Sequence, residues 1–319
     1  INGAINGLKS LGGALISVGK QAIESYADYE QLVGGVETLF KDSAGIVEKY
    51  ANNAYKTAGM SANEYMETVT GFSASLLQGL GGDTKKAAEI GNLAVTDMAD
   101  NANKMGTSME MIQNAYQGFA KDNYTMLDNL KLGYGGTQAE MARLINDSGV
   151  LGGSMKVTAQ TVKDVPFDKM IEAIHKVQTE MGITGTTAKE ASSTISGSVA
   201  SMKSAWQNLL TGMADANADM DTLVNNLVNS VSTVMTNLLP VVKTAITGIV
   251  KVISELAPQI VAMIPEIFQQ IMPTLNEGIQ TLLQTILEIL PQLTSLATEI
   301  IMNLVTILTQ NLPLIIQVG

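Results

Sequence analysis

ELAPQIVAMIP (Glu255–Pro265), EIFQQIMPTLN (Glu266–Asn276), EGIQTLLQTIL (Glu277–Leu287), EILPQLTSLAT (Glu288–Thr298) and EIIMNLVTILT (Glu299–Thr309) follow one another without a gap. Each eleven begins on a glutamate, and the next step lands on Gln310. The frame extends back to Leu223. Cut from there, with each unit ending at a glutamate site, the fifth column reads Leu227, Leu238, Ile249, Ile260, Ile271, Leu282, Leu293, Leu304 and Ile315. Columns one, two, six, eight and nine are also mostly aliphatic, and the other five are mostly Asn, Gln, Thr, Ser, Pro and Glu. Eleven residues over three turns advance about 98° per residue, so the six apolar columns fall in one arc of roughly 165°. That separation predicts a helix, straight or slightly right-handed in its winding.

The prolines keep to the polar side of this grid. Pro258, Pro291 and Pro313 occupy column three, Pro240 and Pro273 column seven, and Pro265 column ten. A proline inside a helix removes a hydrogen bond and bends the axis. Prolines confined to one face either bend a continuous rod consistently or divide it into a stack of short helices, and the pattern does not choose between these. The apolar arc needs a cover: other copies, another part of the chain, or a lipid surface. Self-association is the simplest. The glutamate ladder keeps the polar face solvated, and rows of like charge can also set the register between neighbouring rods. No uncharged run between Glu255 and Glu299 exceeds ten residues, short of the roughly 20 of a membrane span. With only Lys243 and Lys251 in this segment, it also lacks the basic polar face usual for a helix lying on a membrane, which leaves that placement open and a spanning one disfavoured.

Net charge is −11, and the repeat contributes two lysines and five glutamates to it. No basic patch is present to hold phosphates, which argues against sequence-specific nucleic-acid binding and fits a chain that lies near DNA without gripping it. The chain has no cysteine, which removes disulfides, thiolate metal sites and cysteine nucleophiles, and a single histidine, which removes any multi-histidine metal site. All eight tyrosines and the one tryptophan precede residue 207, so the aromatic part and the repeat are built differently. The chain starts on Ile1 and stops within the repeat, as an interior piece of a longer protein would.

Residues 1–33 read as a Gly- and Ala-rich amphipathic helix, with Ile1, Ile5, Leu8, Leu11, Leu15 and Val18 at spacings of three and four. Gly13 to Lys20 has a superficial likeness to a phosphate-binding loop. Its glycines are one residue too far apart, and Gln21 stands where Ser or Thr would reach magnesium. Residues 34–214 read as a domain of short helices. Asp42 caps one through Ala58, stopped by Gly59. Ser61 with Glu64, Thr107 with Glu110, Thr137 with Glu140 and Thr187 with Glu190 form capping boxes, and Asp83 and Pro166 open two further helices. Gly81-Gly82, Gly106, Gly149 and Gly182 stop helices, and the last box opens one through Trp206 to about Met213. Gly133–Gly136 is a loop, and 149–165 is either a short hairpin or an irregular arm. Residues 215–222 link this domain to the 223–319 rod.

No site for chemistry emerges. Asp215, Asn217 and Asp219 imitate the start of a calcium loop, but Met220 replaces its glycine and Asn226 its closing glutamate, so capping is the better reading. His175 lies beside the apolar stripe of its helix, packed or half-exposed, and no strand-to-helix elbow frames any serine for it. The methionines from Met98 to Met126 fit helical spacing as core filler. Catalytic residues, cofactor and metal are therefore all read as none, and the fold class as all-α: a multi-helix domain followed by a long, proline-punctuated helical repeat.

Six segments resemble the tape measure proteins of tailed bacteriophages and prophages, particularly those of Gram-positive hosts. They are Tyr26–Phe40 (YADYEQLVGGVETLF), Ser61–Phe72 (SANEYMETVTGF), Asp100–Gly106 (DNANKMG), Asn114–Lys121 (NAYQGFAK), Leu130–Gly136 (LKLGYGG) and Val177–Gly185 (VQTEMGITG). The repeat beyond 223 matches that family only in kind. The resemblance implies a rod in the lumen of the virion tail, in the host cytoplasm during assembly. Its length would set tail length, and it would leave the tube before or with the DNA. The implied partners are sister copies, the tail tube protein, tail assembly chaperones, tail tip proteins and, on ejection, the host membrane. The family has no catalytic residues in this region. Some members carry cell-wall hydrolase domains elsewhere, and none of that pattern is visible here. Two other readings remain: a membrane-active segment lining a channel for DNA entry, and a cell-wall hydrolase component.

Overall fold

A computed structural model describes the backbone of residues 2–152 and 156–318, with side chains described outside 2–15, 253, 255–274 and 307–318. Glycine and short capping side chains divide the first two thirds of the chain into helices. These are α1 (Asn2–Phe40), α2 (Ala44–Thr57), α3 (Ala62–Gly79), α4 (Thr84–Met105), α5 (Met109–Phe119), α6 (Gln138–Ser148), α7 (Phe167–Glu180), α8 (Thr186–Ser193) and α9 (Ile195–Met213). One further helix, α10, runs from Met220 to Val318. No strand occurs among the described residues, so the class is all-α. Two compact units divide the chain, one of residues 18–242 and one of 1–17 with 243–319.

The 18–242 unit is built on the stops. Gly59, Gly81, Gly82, Gly106, Gly149 and Gly182 all take positive φ, the left-handed conformation that lets a chain leave a helix sharply. Each exit reverses the chain onto what precedes it. α4 becomes the central helix, packed against α3, α5, α7 and α8, while α2 packs on α3 and α9, and α6 on α7. The last turns of α1 enter the same core through Val36 and Phe40, so this helix continues past residue 33. Tyr65, Met66, Leu76, Met98, Ile112, Tyr116, Leu144 and Ile171 are buried at its centre. The stretch between α5 and α6 is not helical but still contributes core: Tyr124, Leu127 and Leu130 turn inward around a short 3-10 turn.

The caps hold in part. Ser61 and Glu64 form the full reciprocal box, and Asp83 accepts from the Lys86 amide. Thr137 accepts from the Glu140 amide, but the Glu140 carboxylate goes to the Gly135 amide and to Arg143. Three expectations are corrected. Asp42 lies in a 3-10 turn and does not cap α2, which begins at Ala44. Ser108, not Thr107, caps α5, because the Thr107 hydroxyl is drawn to the Asn129 carbonyl. The helix expected from Thr187 to about Met213 is two: α8 ends at Ser193, and Thr194 turns extended and caps α9 through the Gly197 amide. Gly197 is required there, since a Cβ would lie 2.5 Å from the Glu190 carbonyl. Of the stretch 149–165, read as a short hairpin or an irregular arm, Gly153–Met155 lie outside the described residues. The rest is turn and a 3-10 turn at Val162–Asp164, with no strand.

α10 begins on Asp219, whose carboxylate accepts from the Thr222 amide and hydroxyl. Leu223 packs on Gly212, where a side chain would not fit. Further along, Asn237 donates to the carbonyls of Ser192 (3.3 Å) and Thr194 (3.1 Å), at the break between α8 and α9. From there α10 continues as one helical run that includes all six prolines of the repeat segment.

Candidate functional site

The one histidine does not stand alone. His175 on α7 places Nδ1 2.9 and 3.0 Å from the two carboxylate oxygens of Asp97 on α4. Asp97 is wholly buried, and desolvation pushes its carboxyl up to about 6 against the opposing pull of His175. The hydrogen bond to Asp97 in turn raises the imidazole above its usual value. One turn along α4, buried Asp100 accepts from the amides of Gly185 (2.6 Å) and Thr187 (2.8 Å), fixing the turn that starts α8. Buried Gln178, one turn beyond His175, has an amide with no hydrogen-bond partner among the described residues, and the same holds for the Tyr116 hydroxyl and Asn101 Oδ1. The arrangement ties α4, α7 and α8 together. Proton transfer at His175 would need a substrate or hydroxyl at Nε2, and among the described residues no hydroxyl engages it. Asp97 is invisible to sequence reading because its partner lies 78 residues away, and the partners of Asp100 lie 85 and 87 residues away.

The other sequence candidates are dispersed. Gly13–Lys20 runs inside α1 as helix, not loop. Asp215 accepts from the Asn217 amide and Asp219 caps α10, so both carboxylates are engaged within the link. No group of three or more His, Asp or Glu side chains suited to a metal occurs among the described residues. The methionine reading is corrected in part: Met98 is fully buried, but Met111 and Met126 are more than two-fifths exposed, because α5 and the following turn carry them on their outer sides.

The remaining feature is the surface of α10. Glu277, Glu288 and Glu299 are exposed, and so are Leu282, Leu283, Leu287, Leu290, Leu293, Ile300 and Leu304. The side chains of Glu255, Ile260, Glu266, Ile271, Gln310 and Ile315 lie outside the described residues. Threonines along α10 turn their hydroxyls back to carbonyls four residues earlier, as at Thr281, Thr285, Thr294 and Thr298. Met220–Val252 and Leu275–Thr306 are each long and apolar enough to cross a membrane, since a span tolerates one or two charged residues that an uncharged-run count does not. No protein-family model, curated protein or solved structure matches the chain.

Proposed function

We propose that this chain is part of a tail tape measure protein of a tailed bacteriophage or prophage, a structural ruler with no reaction of its own. The observation that carries the reading is α10: 99 residues of helix, about 150 Å of contour, with a wide apolar arc repeating every eleven residues. A ruler of this kind works by residue count. Sister copies in the tail lumen cover the apolar arc, the tube protein closes around them, and chaperones shield the arc before closure. The acidic, sparsely charged surface lets DNA follow through the same lumen without being held. The resemblance over residues 26–210 supports the identity, and the eleven-residue grid supports the mechanism.

Two deletions in the complete phage or prophage test this. Removing residues 256–288 takes out three whole repeats and leaves the apolar arc in line. Tails should shorten by roughly 50 Å, at about 1.5 Å per residue. Removing 30 residues instead rotates the downstream arc by about 65° and should assemble poorly, although it removes less chain. Unchanged tail length by electron microscopy after the first deletion refutes the ruler. Equal yields from both keep the ruler but refute the packed face.

The two apolar stretches of α10 favour a second role, compatible with the first: contact with the host membrane on ejection. Dye leakage from liposomes on adding the chain tests it, and intact liposomes would remove it. A hydrolase role has no support from His175, and zymography on cell-wall substrate is its test.

A further inference from the structure

Among α3, α4, α5, α8 and α9 lies a cleft of about 520 Å³ with an apolar floor that includes Met60, Ala102, Met109, Ala191 and Ala200. Glu64, Glu67 and Glu190 stand along it, and among the described residues no lysine or arginine lines it. Glu64 and Glu67 also border a second depression between α1 and α3, of about 780 Å³, which adds Glu24 and Asp28 and again has no basic lining residue. The two depressions therefore share one wall. Five carboxylates line them, and among the described residues the cation paired with any of these is Lys20, 3.6 Å from Glu24 in an exposed pair. One oxygen of Glu64 is held by Ser61, which leaves its charge in place.

Two uncharged polar atoms add to this wall. Asn63 donates its amide hydrogen to the Ser25 carbonyl, which fixes the side chain and leaves Oδ1 buried with no partner among the described residues, beside the second depression. Thr187 Oγ1 is buried and likewise unpartnered beside the first, while the Thr187 amide is committed to Asp100. What this surface offers is largely uncompensated negative charge and two buried oxygens with lone pairs to give, above an aliphatic and thioether floor. Arginine and lysine carry donors only, on apolar stems that cover such a floor.

We infer that this cleft is the docking site for a basic amphipathic segment of a partner protein, with apolar side chains on the Met60–Met109 floor and arginine or lysine against Glu67 and Glu190. A second copy of this chain is a poor occupant, because its own balance is −11. The inference is independent of the reading of α10 as a ruler.

The test is fluorescence anisotropy with the full chain and a labelled fourteen-residue helical peptide of leucine and arginine, and with its glutamate-for-arginine counterpart. The arginine peptide should bind, weaken as salt rises, and bind about tenfold less tightly to the E67Q/E190Q double variant. A200W fills the floor from an exposed position and should abolish binding, with circular dichroism confirming an intact fold. Three results overturn the inference: no binding at about 1 mM peptide, equal binding of the glutamate peptide, or binding unchanged by both cleft variants but lost when Leu282 and Leu293 on α10 become Asp.

Discussion

α4 and the Leu275–Thr306 stretch of α10 are both unbroken helix, yet they place polar and apolar groups in opposite ways. α4 buries Asp97, Asp100 and Asn101 completely, while α10 exposes Leu282 at 63% and Leu287 at 66%. Hydropathy alone would have ordered them the other way round. The difference lies in chain reversal. α4 sits between left-handed exits at Gly82 and Gly106, so its neighbours fold back onto it and supply hydrogen bonds to polar groups that burial would otherwise penalise. α10 has no exit for 99 residues, and a helix cannot cover its own face. Burial in the first region is completed within the chain. In the second, the described apolar side chains stand exposed.

The largest expected effect tests what covers that second region. Replacing Leu282, Leu293 and Leu304 together by Asp puts three charges in the middle of the apolar arc, where a covering partner would have to desolvate them. Sedimentation should show a self-associated wild type and a monomeric variant, with circular dichroism unchanged. The same oligomer in both would place the contact elsewhere and weaken the comparison.

A smaller effect sharpens it. Leu144→Ala empties a fully buried position and should cost about 2–5 kcal/mol. Leu293→Ala, at a position 57% exposed, should stay within about 0.5 kcal/mol under conditions that keep the chain monomeric. A urea melt followed by Trp206 fluorescence measures both. Similar losses from the two would mean that α10 is covered within the chain.

The smallest concerns the buried pair. Asp97, raised to about 6, holds its proton more tightly folded than unfolded, so its contribution to stability falls as pH rises from about 4 towards 6. His175 is raised above 6.5, so its contribution is complete below that value and is lost as pH rises through the folded one. Both signs agree: the 18–242 unit should melt a few degrees lower at about pH 8.5 than at about pH 5.5. Asp97→Asn should flatten this slope, and a wild-type slope of the opposite sign would show that other groups dominate.

These contrasts also mark what the sequence could convey. Six glycine stops were legible because an αL exit is local and few other residues tolerate it. The reciprocal box at Ser61 was legible for the same reason: both partners lie within four residues. Thr107 was misassigned because the distant Asn129 carbonyl takes its hydroxyl, and Thr187 because the Asp100 carboxylate holds the Gly185 and Thr187 amides, so that α8 starts at Thr186 and Thr187 lies inside it. The break at Thr194 was hidden within a continuous helical pattern. At the histidine, the helix and its stripe were legible but Asp97 was not. In α10 the helix was legible from its period, while what covers its apolar side chains is not a matter that spacing along one helix can express.

The attachment of α10 has a mechanical consequence. Asn237 grips the Ser192 and Thr194 carbonyls fourteen residues beyond Leu223, about 21 Å of helix further on. A force that lifts α10 away from α8 and α9 therefore meets its fasteners one at a time: first the Asn237 amide, then Leu223 on Gly212. Fasteners loaded in sequence yield at a lower tension than the same fasteners loaded side by side. The start of this long helix is thus held the way a zip is held, firm against random jostling and easily opened by a steady pull from one end.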